Sequence, residues 1–207
     1  MELTDKDIAV DLDKCSQPMD LQDLFPNPGP VEIEIGSGKG TFLVHQAKAN
    51  LNINYLGIEW ASRYYRHSCD RLARWKLSNT RMLRADARDF IRDYVKDSSI
   101  EALHIYYPDP WPKKRHNKRR FFAQDNMLEV IRCLKTGGQL RVATDHEEYF
   151  QQMQEVLLKD QKIASCFQKI DFCPAEGAKD GELVGTNFER KYIREGRNSY
   201  KIALSKL

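Results

Sequence analysis

Five short apolar runs, each followed by a stretch with helical spacing, constrain this chain more than any other feature. They are residues 31–35, 53–59, 81–85, 102–107 and 139–144. Between them, Phe42, Leu43, Gln46, Ala47 and Asn50 suit one helix. Ala61, Tyr65, Ser68, Leu72 and Trp75 make the stripe of a second, which Ser62 is placed to cap. Phe90, Ile91 and Tyr94 mark a third. A fourth begins near Arg119, carries Phe121, Phe122, Met127, Leu128, Ile131 and Leu134, and stops on Gly137 and Gly138. Residues 149–158 suit a fifth. Strands that alternate with helices at this spacing form βαβ units. The expected fold is therefore α/β, a doubly wound and mostly parallel sheet with helices on both faces. Residues 162–172 read as a sixth strand, 174–185 as a polar loop and 199–204 as a terminal strand.

Pro26-Asn27-Pro28-Gly29-Pro30 breaks regular structure and separates a leader, residues 1–30, from a single domain over 31–207. The net charge of +3 is unevenly spread. The leader carries seven acids against Lys6 and Lys14, a net of −5, which leaves +8 on the rest. A basic body points to a polyanionic partner. Cysteines 15, 69, 133, 166 and 173 are scattered, with no Cys-x-x-Cys pair and no zinc spacing. Reduced thiols in a cytosolic protein are expected, and no metal. No apolar run approaches the ~18–20 residues of a membrane span. Met1–Asp5 lacks the basic start of a secretory signal.

In open sheets of this kind, ligands bind beyond the C-terminal strand ends. Five carboxylates sit there in strand order: Glu34, Glu59, Asp86, Asp109 and Asp145. Gly36-Ser37-Gly38-Lys39-Gly40 follows the first strand. Thr41 stands where a dinucleotide fingerprint needs glycine, and no phosphate-binding Gly-Lys-Ser/Thr ending is present. Glu34 beside that loop repels a pyrophosphate and attracts an ammonium group. Glu59 is placed for ribose hydroxyls, and Asp86 for the exocyclic amine of adenine. Each acid alone reads equally as a solvated loop residue. Together, acceptors for amine, ribose and adenine in strand order spell S-adenosylmethionine. Asp109 opens the densest charge block: Pro108-Asp109-Pro110-Trp111-Pro112 and then Lys113 to Arg120, six of whose eight residues are Lys or Arg.

Glu34 to Gly40 resembles motif I of the class I methyltransferases. Pro108 to Arg120 is similar to the signature of the tRNA (guanine-N7-)-methyltransferases. Ala143-Thr144-Asp145 and Thr186-Asn187-Phe188-Glu189 match that family's fifth-strand ending and its Thr-x-Phe-Glu motif. The likeness runs from about residue 31 to 205, and the Pro-Asp-Pro-Trp stretch is its most specific part. It implies a class I, Rossmann-like seven-stranded sheet with an antiparallel end. It implies transfer of methyl from S-adenosylmethionine to N7 of a guanine in the tRNA variable loop, conventionally position 46. It implies that Glu34, Gly36, Gly38, Glu59, Asp86 and Asp109 form the cofactor site and that Asp109 is catalytic. Lys113, Asp145, Thr186, Asn187, Phe188 and Glu189 match substrate positions. Lys114, Arg115, Lys118, Arg119 and Arg120 are the expected contacts to tRNA phosphates. Relatives often carry a basic N-terminal arm, whereas residues 1–30 here are acidic.

The chemistry agrees. Guanine N7 has an in-plane lone pair and no proton, so no general base is required. Asp109 is then expected to orient guanine and stabilise charge. The base must leave its stack. Tyr106, Tyr107 and Trp111 are candidate platforms, although packing accounts for them as well. Asp145 reads equally as a cap on the helix beginning at His146. Three other readings compete. A different RNA methylase would need another target, and the Asn/Asp-Pro-Pro-Tyr motif of amino-group methylases is absent. An RNA-binding subunit would need no intact acid set. A nicotinamide oxidoreductase fits neither Thr41 nor the basic loop. Oligomeric state is not set by the sequence.

Overall fold

The computed structural model describes residues 3–207, apart from the side chains of Lys114 and Asn117. Valine and isoleucine dominate β2 (Val31–Ile35), which forms the sheet centre between β3 (Asn54–Ile58) and β5 (Ile100–Tyr106). β4 (Thr80–Leu83) lies beyond β3 and β6 (Leu134–Thr144) beyond β5, all parallel. β8 (Tyr200–Lys206) then runs antiparallel between β6 and β7 (Phe167–Ile170). These seven strands follow the expected architecture. An eighth, β1 (Ala9–Val10), adds a short parallel edge against Met82 and Leu83. It comes from the leader, whose low apolar density hid it.

The leader lies on the domain. Within it, α1 (Asp5–Ile8) begins with a Thr4–Asp7 capping box. Ile8, Met19, Leu21 and Phe25 are all buried, so the core begins well before the proline cluster. The Met19 N–H donates to the Tyr94 carbonyl at 2.8 Å.

Helices α2 (Thr41–Ala49) and α3 (Ser62–Arg74) cover one face of the sheet. Phe42, Leu43, Cys69 and Leu72 pack there on Tyr55 and Met82. α4 (Ala87–Tyr94), α5 (Gln124–Cys133) and α6 (Glu147–Gln154) cover the other. Phe90, Ile91, Met127, Val130 and Met153 pack there on Ile33, Leu103 and Val142. The N-cap of α3 is Ala61, not Ser62. Trp75, placed on the buried stripe of α3 by its spacing, is exposed under the Lys48 ammonium, 3.2 Å from its ring centre. α5 starts at Gln124, later than its periodicity suggests, because residues 114–119 form a 3₁₀ segment. Gly137 does not cap α5. It turns a bulge in β6, where Ile100 pairs with Leu134 but Ala102 pairs with Gln139. Residues 162–172 divide into α7 (Gln161–Ala164) and β7. A final helix, α8 (Asn187–Arg194), was not apparent from periodicity, since Glu189 is its only buried residue.

Candidate active site at the strand ends

The glycine loop turns from β2 into α2 with Gly36, Gly38 and Gly40 at φ of 77°, 54° and 66°. These left-handed values are costly for side-chain-bearing residues, which is why the turn is built from glycine. The loop is held from three directions. The Glu59 carboxylate accepts from the Gly38 N–H at 2.9 Å and from the Ala61 N–H at 2.7 Å. The Ser68 hydroxyl donates to the Gly38 carbonyl at 2.8 Å. Arg71 donates to the Lys39 carbonyl and to Thr41 Oγ1.

Glu34 lies beneath this loop, 4% exposed, and its Oε2 has no hydrogen-bond partner among the described residues. Burial, with the charge of Glu59 adding to it, pushes its carboxyl up to about 8. An orphaned buried acceptor of this kind suits an incoming ammonium group. Asp86 caps α4 through the Arg88 N–H at 2.9 Å and pairs with the Arg88 guanidinium at 2.5 Å. That pairing holds its carboxyl below the usual range.

Tyr107 and Trp111 flank the Asp109 turn in left-handed backbone, φ 50° and 43°. Such conformations cost roughly 1–3 kcal/mol each for residues with side chains. The Tyr107 N–H donates to the Ala143 carbonyl at 2.7 Å and its hydroxyl bonds to Ser199. Asp109 itself is exposed. Tyr106, by contrast, is buried and bonded to His104 at 2.9 Å, which makes it packing and not a free platform.

A cleft of about 610 Å³ runs along these strand ends. It brings together Gly36, Gly38, Glu59, Asp86, Asp109 and Trp111, five expected site residues and the loop tryptophan. An adjoining recess of about 300 Å³ takes in Glu34, Thr186 and Asn187. Phe188 and Gly36 border both spaces. Trp60, Tyr64 and Tyr192 also line the cleft and were not singled out from sequence. Trp60 directly follows Glu59, so its position beside a strand-end acid was the available signal.

Several assignments change. Glu189 does not face a substrate: it is fully buried and accepts from the N–H groups of Leu183, Val184 and Gly185. It holds the turn that launches α8, while Thr186 caps the helix by accepting from the Glu189 N–H. Asp145 neither caps α6, whose cap is His146, nor lines the cleft, and it pairs with Arg197 at 2.8 Å. Arg120, expected on phosphate, is 3% exposed, and its guanidinium is engaged by Pro110, Gln152 and Glu148. Lys113, Arg115, Lys118 and Arg119 are exposed on the loop. Arg119 lies over the Trp111 ring at 4.7 Å. The assignment of Lys114 to phosphate falls outside the described residues.

A family described as "Putative methyltransferase" matches residues 28–202. A tRNA (guanine-N(7)-)-methyltransferase of Dechloromonas aromatica is 34% identical over 93% of this chain and 76% of its own length. The chain belongs to the tRNA (guanine-N(7)-)-methyltransferase family. Another relative of that description, from Rhodopirellula baltica, is 41% identical over 72% of this chain. The match spans only 59% of that longer protein. In fold, the chain is similar to a SAM dependent methyltransferase from Aquifex aeolicus, with a TM-score of 0.57 at 10% identity over 87% of this chain and 84% of the other. No helix among the described residues is long and apolar enough to cross a membrane.

Proposed function

We infer that the protein methylates N7 of a guanine in the variable loop of tRNA, using S-adenosylmethionine in the cytoplasm. The observation that carries this reading is a pair of adjoining spaces that share Gly36 and Phe188, one lined by the orphaned Glu34 carboxyl and the other by the glycine loop and Asp109. Glu34 receives the amino group of the cofactor, and Glu59 its ribose. Glu59 keeps lone pairs for this beyond the two backbone donors it already accepts. Asp86, committed to Arg88, sets the α4 end of the pocket and offers its remaining lone pairs to the base. The bound cofactor supplies an electrophilic sulfonium methyl, which needs no metal.

On the substrate side, Asp109 accepts from guanine N1–H and the exocyclic amine, aiming N7 and offsetting the positive charge the purine gains. No proton leaves N7, so Asp109 acts by orientation and charge. Phe188, which walls the cleft, and Asn187, which walls the adjoining recess, are set by the Thr186 cap and the Glu189 turn. Lys113, Arg115, Lys118 and Arg119 contact phosphates and position the RNA without reading its bases. The test is purified protein with cofactor and tRNA, followed by reduction and aniline cleavage. Scission at the variable-loop guanine is expected. An unmodified guanine there, with methyl on another base, would sink the reading.

A further inference from the structure

Arg120 ends the basic block, yet its side chain is buried. Its Nε donates to the Pro110 carbonyl at 2.7 Å. Nη1 donates to the Gln152 amide oxygen on α6, and Nη2 to Glu148 one turn earlier at 3.4 Å. The guanidinium plane also sits 4.7 Å from the centre of the buried Tyr149 ring. One planar fork therefore ties the Asp109 turn to α6 through acceptors on two elements.

The turn has few means of holding itself. Pro108, Pro110 and Pro112 have no N–H to donate. Its two flanking residues are in left-handed backbone. Among the described residues, the Arg120 bond to Pro110 is the one hydrogen bond that reaches residues 108–112. Pro110 directly follows Asp109, so a shift of its carbonyl moves the carboxylate.

We propose that Arg120 is a positioning residue for Asp109, clamping the Pro-Asp-Pro-Trp turn to α6, and takes no part in binding RNA. This rests on Asp109 acting at the guanine, as inferred above. The sequence places Arg120 in one block with Arg119 and Lys118, but the fold divides them between two tasks.

The test separates turnover from RNA binding. Arg120→Ala should lower kcat by about 10- to 100-fold, as expected for a displaced catalytic group. The KM for tRNA and the salt dependence of tRNA binding should both stay at their wild-type values. Lys118→Ala should do the opposite, raising KM and reducing the salt slope by about one ion. Arg120→Lys and Gln152→Ala keep the test alive if Arg120→Ala does not fold. Both should lower kcat to a smaller degree, at an unchanged salt slope. A raised KM with a reduced salt slope in Arg120→Ala would make Arg120 a phosphate ligand and overturn the clamp. Normal turnover in both Gln152→Ala and Arg120→Lys would also overturn it. Asp109→Ala, measured alongside, separates the two readings. If it loses turnover while the Arg120 and Gln152 variants keep theirs, only the clamp fails. If it keeps full turnover, the role of Asp109 fails and the clamp falls with it.

Discussion

The two ends of the cleft are built on opposite principles. At the glycine-loop end the acid proposed to act, Glu34, is buried, and the backbone over it is held by Glu59, Ser68 and Arg71. At the Pro-Asp-Pro-Trp end the acid proposed to act, Asp109, is exposed, and its turn is bonded by Arg120, which is braced in turn on α6. In the proposed function the first end meets a small cofactor that must be gripped on several sides. In the same proposal the second meets a macromolecule that brings its own surface, so its acid can stay open until RNA covers it. Preorganisation at the first end is paid for by an uncomfortable carboxyl, and at the second by left-handed backbone.

Four substitutions break or sharpen that contrast, from the strongest effect to the weakest. Asp109→Ala should cut single-turnover methylation by about 10²–10³-fold, typical of losing one aligned electrostatic group. S-adenosylhomocysteine and tRNA should still bind within several-fold, as titrations of each would show. Loss of folding would instead make Asp109 structural and erase the contrast.

Glu189→Ala should act through stability. It strips the acceptor from three backbone N–H groups in a buried turn, a loss of roughly 3 kcal/mol. Thermal or denaturant unfolding measures it directly. An unchanged melting point alongside a raised KM would return Glu189 to the substrate side.

Glu34→Gln should weaken S-adenosylhomocysteine by about tenfold at pH 8.5, roughly 1.4 kcal/mol. A free glutamate titrates near 4.5, and this one is pushed up to about 8 by burial. Between those values the unfolded chain has lost a proton that the folded chain keeps. Stability of the unliganded protein should therefore fall as pH rises through that window. Binding of a cationic amine favours the ionised carboxyl, so affinity should weaken as pH drops below about 8. Glu34→Gln should flatten both dependences, which unfolding and calorimetric titrations across pH would reveal. Lys118→Ala should have the smallest effect, about threefold in tRNA affinity, with a salt slope lower by about one.

Much of the fold was legible in the chain because its period-2 and period-3.6 patterns switch cleanly. Strands at 31–35 and 54–58 lie where the spacing places them. The misses share a cause. β1 and the buried leader residues are short apolar contacts separated by acids, with no local period to detect. α8 has one buried residue, and that residue is a glutamate. The turn at Gly137 looked like a helix cap because left-handed glycine serves caps and bulges alike.

By itself the sequence determined the order of the rim. Strand polarity in a parallel sheet puts Glu34, Glu59, Asp86 and Asp109 at one edge, and only a chain of this length and pattern is needed to say so. Tertiary structure alone decided which charged residues serve the site and which serve the scaffold. Arg120 and Glu189 sit in motifs otherwise proposed to face the substrate, yet both are buried. A charge is tolerated inside only where partners satisfy it. For Arg120 those partners come from α6, about 30 residues along the chain. For Glu189 they are three consecutive backbone N–H groups that converge only once the turn is folded. The linear order of residues records neither convergence.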